Sequence, residues 1–274
     1  MKNLKKIAVA IDFSENSRAA YHYAKPLAKQ VGAEIELIHV YTLPINPDSI
    51  YGMGFIPPVD EQIENVLTRL HEFANDPDVN CRIYTGFAPD KLVELSEARK
   101  FDLLVVGNSD ERGLLSQIFG SVALDVSKKA FCPVLLIPHN AKFEGIKGIL
   151  YAVSEMSTDE DGIAVTKDWA TTMGAKIHFV HVDRPDTNDD LPDVTHLMRD
   201  SEIDYAVKDL EFVTVRGGID VYCEQKPIDL IVSMTQNRSF WDSIFHTSTT
   251  NALAWNSPLP LLVLHKDVVE AAVS

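Results

Sequence analysis

"VGAEIELIHVY", Val31 to Tyr41, returns as "MGAKIHFVHVD", Met173 to Asp183, at an offset of 142 residues (173 minus 31). Each copy reads as a helix end, a glycine that stops the helix, and then a buried strand. A second echo closes each half. "FDLLVVG", Phe101 to Gly107, answers to "IDLIVSM", Ile228 to Met234, and "CPVLLIP", Cys132 to Pro138, answers to "LPLLVLH", Leu259 to His265. The offset there is 127 (228 minus 101), so the second copy is shorter through its middle. A unit of this length is too long for a solenoid repeat of ~20–50 residues. A whole domain is expected to be duplicated, with one copy over residues 1–140 and the other over 145–274. "HNAKFEG", His139 to Gly145, is the expected linker.

The bulk properties agree with two globular units. A chain of 274 residues fits two domains, and each half is long enough to bury a core without metals or disulfides. Hydrophobic content of 46% and charged content of 24% are ordinary for a globular chain. Cys81, Cys132 and Cys223 are widely spaced and form no CxxC pair, which points to free thiols in a reducing compartment. Cys132, just before a buried strand, is expected to be packed and inert. "MKNLKKIAVAID" runs straight into a strand pattern without the apolar core of a signal peptide. No apolar stretch approaches the ~18 residues that span a bilayer. A cytoplasmic location and no membrane partner are therefore expected. The formal charge of −15 argues against nucleic acid, whose phosphates require a basic face. Acidity concentrates between Asp183 and Glu211, which is read as a solvated helix and its loop.

Within the first copy, "KKIAVAID" is a strand ending at Asp12, and Ser14 or Asn16 can cap the helix that carries Ala20, Ala24, Leu27, Ala28 and Val31. Prolines and glycines from Leu43 to Pro58 make a loop. Ile63, Val66, Leu67, Leu70 and Phe73 mark a second helix, and "NCRIYTG" a third strand. A helix from Pro89 to Lys100, strand "DLLVVG", a helix around Ser121 to Ala130 and strand "PVLLIP" complete the copy. The second copy follows the same order. It predicts a helix near Pro192–Lys208, a strand at "EFVTV" and a short helix after Gly218. Strands alternating with helices require right-handed crossovers, and continuous apolar strands require helices on both faces. The fold class is α/β, as two tandem doubly wound five-stranded parallel-sheet domains of Rossmann-like form.

"IAVAIDFSENS", "AEIELIHVY" and "DLLVVGNSDERGLLSQIFGSVALDVSKKAFCPVLLIP" together resemble a universal stress protein domain. The resemblance covers all of the first half and, more faintly, all of the second, so the whole chain is similar to tandem universal stress proteins. It implies strand order 3-2-1-4-5 in each domain, an adenine-nucleotide α-hydrolase-like sheet, and pairing of domains through the fifth strand, within one chain or in a homodimer. It also implies a site for ATP or AMP, with Mg²⁺, in the crevice between strands one and four, where the strand order reverses. The residues it assigns are Ala10, Asp12, Val40, Gly107, Gly120, Ser121 and Val122. Asp12 would accept from adenine or ribose, Val40 would offer its backbone, and Gly107 would let the backbone approach sugar and phosphate. Gly120, Ser121 and Val122 would present helix N-terminal amides to phosphate. The family's phosphate loop has glycine, two residues, glycine, nine residues, then glycine with Ser or Thr; here the middle glycine is Asp110, followed by Glu111. A carboxylate ~4 Å from a phosphate costs about 4 kcal/mol at an effective dielectric near 20. A bridging Mg²⁺, an outward-turned Asp110 or Arg112 would offset it. In the second copy Asp12 aligns with Ser154 and Gly107 with Met234, while Gly120–Ser121 falls on "HTS", His246 to Ser248. The second copy is expected to have lost the site.

Other constellations carry less. His178 and His181 lie at odd spacing on one strand and therefore face opposite sides, so no metal site is expected, and His181 repeats His39. No GxSxG, HExxH, CxxC or GxxxxGK[ST] pattern occurs. Phe240, Trp241, Phe245 and Trp255 either fill the space a nucleotide would take, pack between domains, or form an apolar groove. The expected role is stress-related binding or signalling without catalysis. A rival reading is a scaffold that binds no nucleotide and works by oligomerisation or partner docking. An ATP pyrophosphatase or nucleotidyltransferase would need a glycine-serine-rich loop after strand one or paired histidines, and "AIDFSENS" supplies neither.

Overall fold

The computed structural model describes residues 4–42, 59–107, 121–153, 160–183, 193–199, 201–235 and 259–265. In the first half, strands β1 (Lys6–Ala10), β2 (Glu34–Tyr41), β3 (Asn80–Thr85), β4 (Leu103–Gly107) and β5 (Val134–Ile137) alternate with helices. These are α1 (Glu15–Val31), α2 (Val59–Ala74), α3 (Ala88–Glu97) and α4 (Ser121–Lys129). The second half contributes β6 (Gly148–Ala152), α5 (Glu160–Met173), β7 (Lys176–Asp183), a 3₁₀ turn at Thr195–Met198, β8 (Tyr205–Glu211), α6 (Val215–Gln225), β9 (Leu230–Met234) and β10 (Leu261–Leu264).

The strands form one continuous sheet of order β3-β2-β1-β4-β5-β10-β9-β6-β7-β8. Each half has the order 3-2-1-4-5 with parallel neighbours, and the halves join where β5 and β10 pair antiparallel through Leu136↔Leu261 and Val134↔Val263. Both joining strands are buried along their whole length. Left as edges, their ladders would present unpaired amides and carbonyls beside an apolar surface, which pairing removes.

Two apolar layers cover the sheet, as double winding requires. One gathers α1, α2 and α5 through Leu27, Leu70 and Trp169, and the other gathers α3, α4 and α6 through Leu92, Val126 and Ile219. The duplication extends to single hydrogen bonds. Asp102 Oδ2 accepts from the amides of Lys5 and Lys6, both at 2.8 Å, and Asp229 Oδ2 accepts from Lys147 and Gly148 at 2.7 and 3.0 Å. Helices α1 and α5 are both followed by a left-handed glycine, Gly32 at φ 72° and Gly174 at φ 69°, a conformation that a Cβ disfavours.

The second half departs from expectation around its third strand. The predicted helix near Pro192–Lys208 is a 3₁₀ turn followed by strand β8, the predicted strand at "EFVTV" lies earlier, at Tyr205–Glu211, and α6 starts at Val215 instead of after Gly218. Pairing along the whole edge of β7, from Ile177↔Tyr205 to Asp183↔Glu211, satisfies a backbone that a helix would have left open. The acidic stretch is therefore in part an edge strand. Two successive glycines in the first turn hide α6, because glycine is a poor helix former. Thr214 nevertheless caps it by accepting from the amide of Gly217 at 3.1 Å. Gly218 is required by packing, since a Cβ there would lie 2.9 Å from Val182 Cγ2.

His178 and His181 face opposite sides of β7. His178 Nδ1 lies 2.7 Å from Tyr222 Oη, and His181 Nδ1 lies 2.9 Å from Asp209 Oδ1. Burial lowers the pKa of His178 from 6.5, with help from the charges of Lys176 and Lys226 and against the pull of Asp204. Below pH 6.5 the unfolded chain therefore binds more protons at this site than the native one. Stability is present above that pH and is lost as pH falls toward the depressed native pKa. A His178→Gln variant should show a flatter stability profile just below pH 6.5 than the wild type, read from urea midpoints taken across that range. An unchanged slope would refute the assignment.

Candidate functional site

Strand β1 ends in a turn that reverses the chain into α1, and this turn is held unusually tightly. Phe13 sits at φ 65°, a conformation that costs a non-glycine residue on the order of 1 kcal/mol. Its ring is fixed by His39 at 4.8 Å, Phe73 at 5.8 Å and the Arg69 guanidinium at 4.1 Å. On either side, Asp12 Oδ1 accepts from the amide and the hydroxyl of Ser14, and Ser14 Oγ in turn accepts from the Ser17 amide at 3.2 Å. Of the two caps open from sequence, Ser14 is the one used. The strain at Phe13 thus places Asp12 and the first turn of α1 at the carboxyl end of the sheet.

A cleft of about 290 Å³ opens there. Ala10, Ile11 and Asp12 line it from β1 and its turn, and Ile38, His39 and Val40 from β2. Val106 and Gly107 line it from β4, and Ser14, Asn16 and Ser17 from the start of α1. Ala88 and Leu92 of α3 and Val122 and Ala123 of α4 close it. Of the residues assigned from sequence, Ala10, Asp12, Val40, Gly107 and Val122 come together in this one cleft. Ser121 is the first residue of α4. Gly120, Asp110, Glu111 and Arg112 lie outside the described residues, as do Ser154, His246 to Ser248 and the aromatic residues Phe240, Trp241, Phe245 and Trp255.

Sequence reading missed Asn16, Ser17, Ala88 and Leu92 as lining residues. Proline at the start of α3 was a usable signal for the last two, because it sets where that helix begins beside the crevice. His39 also lines the cleft. Its Nδ1 lies 2.7 Å from the Ile11 carbonyl, so this nitrogen donates and the ring is locked against the turn. Desolvation raises the Asp12 pKa, but hydrogen bonds from Ser14, Ser17 and its own amide outweigh it, and the net value falls below 3.8. Asp12 is an anion at neutral pH.

Packing gives Gly107 a reason of its own to be glycine. A Cβ on it would lie 2.3 Å from the Asn16 carbonyl oxygen and 2.9 Å from the Ser17 amide. The first turn of α1 rests directly on the end of β4. In the second half the corresponding residue is Met234, which is buried, and the space is found on the helix side. There a Cβ on Gly162 would lie 2.6 Å from Met234 Sδ. Gly162 thus lets α5 pack directly against Met234 and Tyr151.

Among the described residues no group of three or more His, Cys, Asp or Glu could hold a metal ion, and no helix is long and apolar enough to cross a membrane. The thiol pKa of Cys81 is pushed up to about 11 by burial and then by Glu36, and that of Cys223 to about 12 by burial and then by Asp220. Burial also raises that of Cys132, so thiolate chemistry is disfavoured at all three.

The family model of the universal stress proteins matches residues 3–138. A universal stress protein of Bacillus subtilis is 31% identical over 145 residues, which cover 48% of this chain and 97% of the relative. The chain belongs to the universal stress protein family. Another universal stress protein, from Methanocaldococcus jannaschii, is 29% identical over 140 residues, 48% of this chain and 81% of its own. These relatives are about half as long as this universal stress protein. A likeness over both halves comes from the crystal structure of a universal stress protein of Archaeoglobus fulgidus, which covers 96% of this chain and 99% of its own. At 20% identity and a TM-score of 0.68 that likeness shows the fold.

Proposed function

We propose that this universal stress protein acts in the cytoplasm by binding and signalling, not turnover. Its two domains, 1–140 and 145–274, have different tasks. The first takes an adenine nucleotide, ATP or AMP with Mg²⁺, and the second is structural or partner-binding. The observation that supports this reading most directly is the convergence of Asp12, Val40, Gly107 and Val122 on one cleft at the switch point of the sheet. A carboxylate acceptor beside an apolar slot suits the edge and face of a base with its sugar. Isothermal titration of the full chain with AMP and with ATP, each with and without Mg²⁺, tests it. Saturable heat with a Kd of about 1 mM or tighter is expected, equivalent to about 4 kcal/mol of binding. Silence with every ligand would remove the nucleotide site and leave the fold untouched.

Met234 favours a second reading for the other half. A buried methionine stands here where the first half has Gly107, packed against Gly162 of α5, which suits a scaffold that pairs with its sister domain or with another copy of the chain. Removing the second half should then leave an aggregation-prone first half, measured by light scattering, because β5 loses its partner.

A further inference from the structure

We infer that His265 of the second half is a positioning residue for the first-half cleft, acting through helix α4. The inference rests on the reading of that cleft as an adenine-nucleotide site and gives the second half a part in it.

Helix α4 has one end at the cleft, where Val122 and Ala123 of its first turn form part of the lining. Its other end meets the constraint common to every helix, that the last carbonyls have no partner within it. The Val126 carbonyl accepts from the Ala130 amide at 2.9 Å. The Ser127 carbonyl would accept from Phe131 if the helix continued, but the Phe131 amide donates at 2.9 Å to Ser96 Oγ of α3. Ser127 is fully buried, so an unmet carbonyl there would be shut off from water at a cost in stability. His265 supplies the donor. Its Nε2 lies 3.0 Å from the Ser127 oxygen, and because a carbonyl only accepts, this nitrogen carries the proton. His265 is itself buried, and it is brought to α4 by the antiparallel join of β10 to β5, just beyond the Val263↔Val134 pair. The second half thus caps a first-half helix at its carboxyl end.

The contact reaches the cleft in one further step. Ser127 Oγ donates to the Ala123 carbonyl at 2.6 Å, and Ala123 is a lining residue. A helix of nine residues moves as one body, so freeing its last turn also frees the amides of its first. A site whose supporting contacts are loose by about 1 Å binds poorly. The support runs one way. At the offset of 127 (265 minus 138), His265 corresponds to Pro138, and proline carries no N–H with which to return the bond.

The test is a titration of the full chain with AMP and with ATP, each with Mg²⁺, in three forms. These are the wild type, His265→Leu, which removes the donor, and His265→Gln, which keeps one. His265→Leu should weaken nucleotide binding about five- to tenfold, the share of one hydrogen bond, and His265→Gln should recover most of it. Equal weakening in both variants would overturn the inference. So would a His265→Leu protein with a lowered urea midpoint and unchanged affinity, which would make the bond plain support and leave the nucleotide site standing. A measurement on the wild type decides the matter if His265→Leu fails to fold. With isotope-labelled histidine, saturating ATP should shift the His265 ring resonance, because occupying the first turn of α4 resettles its last, and an unmoved resonance would overturn the inference. Silence of the wild type toward both nucleotides would overturn this inference and the nucleotide reading together.

Discussion

Gly107→Ala should destabilise the ligand-free protein by about 3 kcal/mol, the upper end of what one added methyl costs in a packed interior. The methyl would meet the backbone carbonyl of Asn16 at 2.3 Å. A backbone atom in the first turn of a helix cannot rotate away as a side chain can, so either α1 or β4 must shift. Helix α1 packs on β1, β4 and β5 and carries Ala20, Ala24 and Leu27 into the core, so a shift there disturbs the centre of the first half. Gly174→Ala is the control. It lies at φ 69° with nothing within 4 Å of the added atom, so it should cost only the left-handed strain of about 1–2 kcal/mol. The readout is the shift in urea midpoint of each variant without nucleotide. If Gly107→Ala matched the wild type in stability and lost only ligand binding, the glycine would serve the ligand and not the helix seat.

That distinction marks where sequence reading stops. Gly107 was legible as a special position because it ends an apolar strand and stands in register with a phosphate-loop pattern. The packing constraint on it was not legible, because the obstructing atom belongs to Asn16, far away along the chain. The repeat made most of the fold readable, since a glycine stop followed by a strand, Gly32 before β2 and Gly174 before β7, recurs in both halves. Strand β8 resisted because it is an edge: Lys208, Asp209 and Glu211 face solvent, the apolar signal is diluted, and only pairing with β7 defines it. The cleft was half legible. Asp12 and Val40 close strands and announce themselves, whereas Leu92 lines the cleft from a helix face that reads simply as core. The joining of β5 to β10 depends on two strands that are buried on both faces, a pattern shared with every inner strand of such a sheet.

The buried charges at the opposite, amino-terminal end of the sheet yield the other large effect. Glu36 lies on β2 with its side chain 2% exposed, and its Oε2 receives Lys6 Nζ at 2.8 Å and Arg82 Nε at 2.9 Å. The two cations are unequally placed, Lys6 at 27% and Arg82 at 61% exposure, so each keeps contact with water while the carboxylate does not. The consequences of removing one side or the other are therefore unequal. Replacing both cations, Lys6→Met with Arg82→Met, strands a carboxylate in a dry site and should cost about 3–5 kcal/mol. Glu36→Leu leaves two cations that can turn outward and puts apolar volume between Ala8 and Ile38, so its cost should stay within about 1 kcal/mol. Urea midpoints for the three proteins at pH 7 decide the matter, and the deficit of the double variant should persist in high salt because a buried charge is poorly screened. A Glu36→Leu protein as unstable as the double variant would mean that the ion cluster stabilises the sheet outright. The sheet would then depend on attraction in that cluster, and not merely on having the Glu36 carboxylate neutralised.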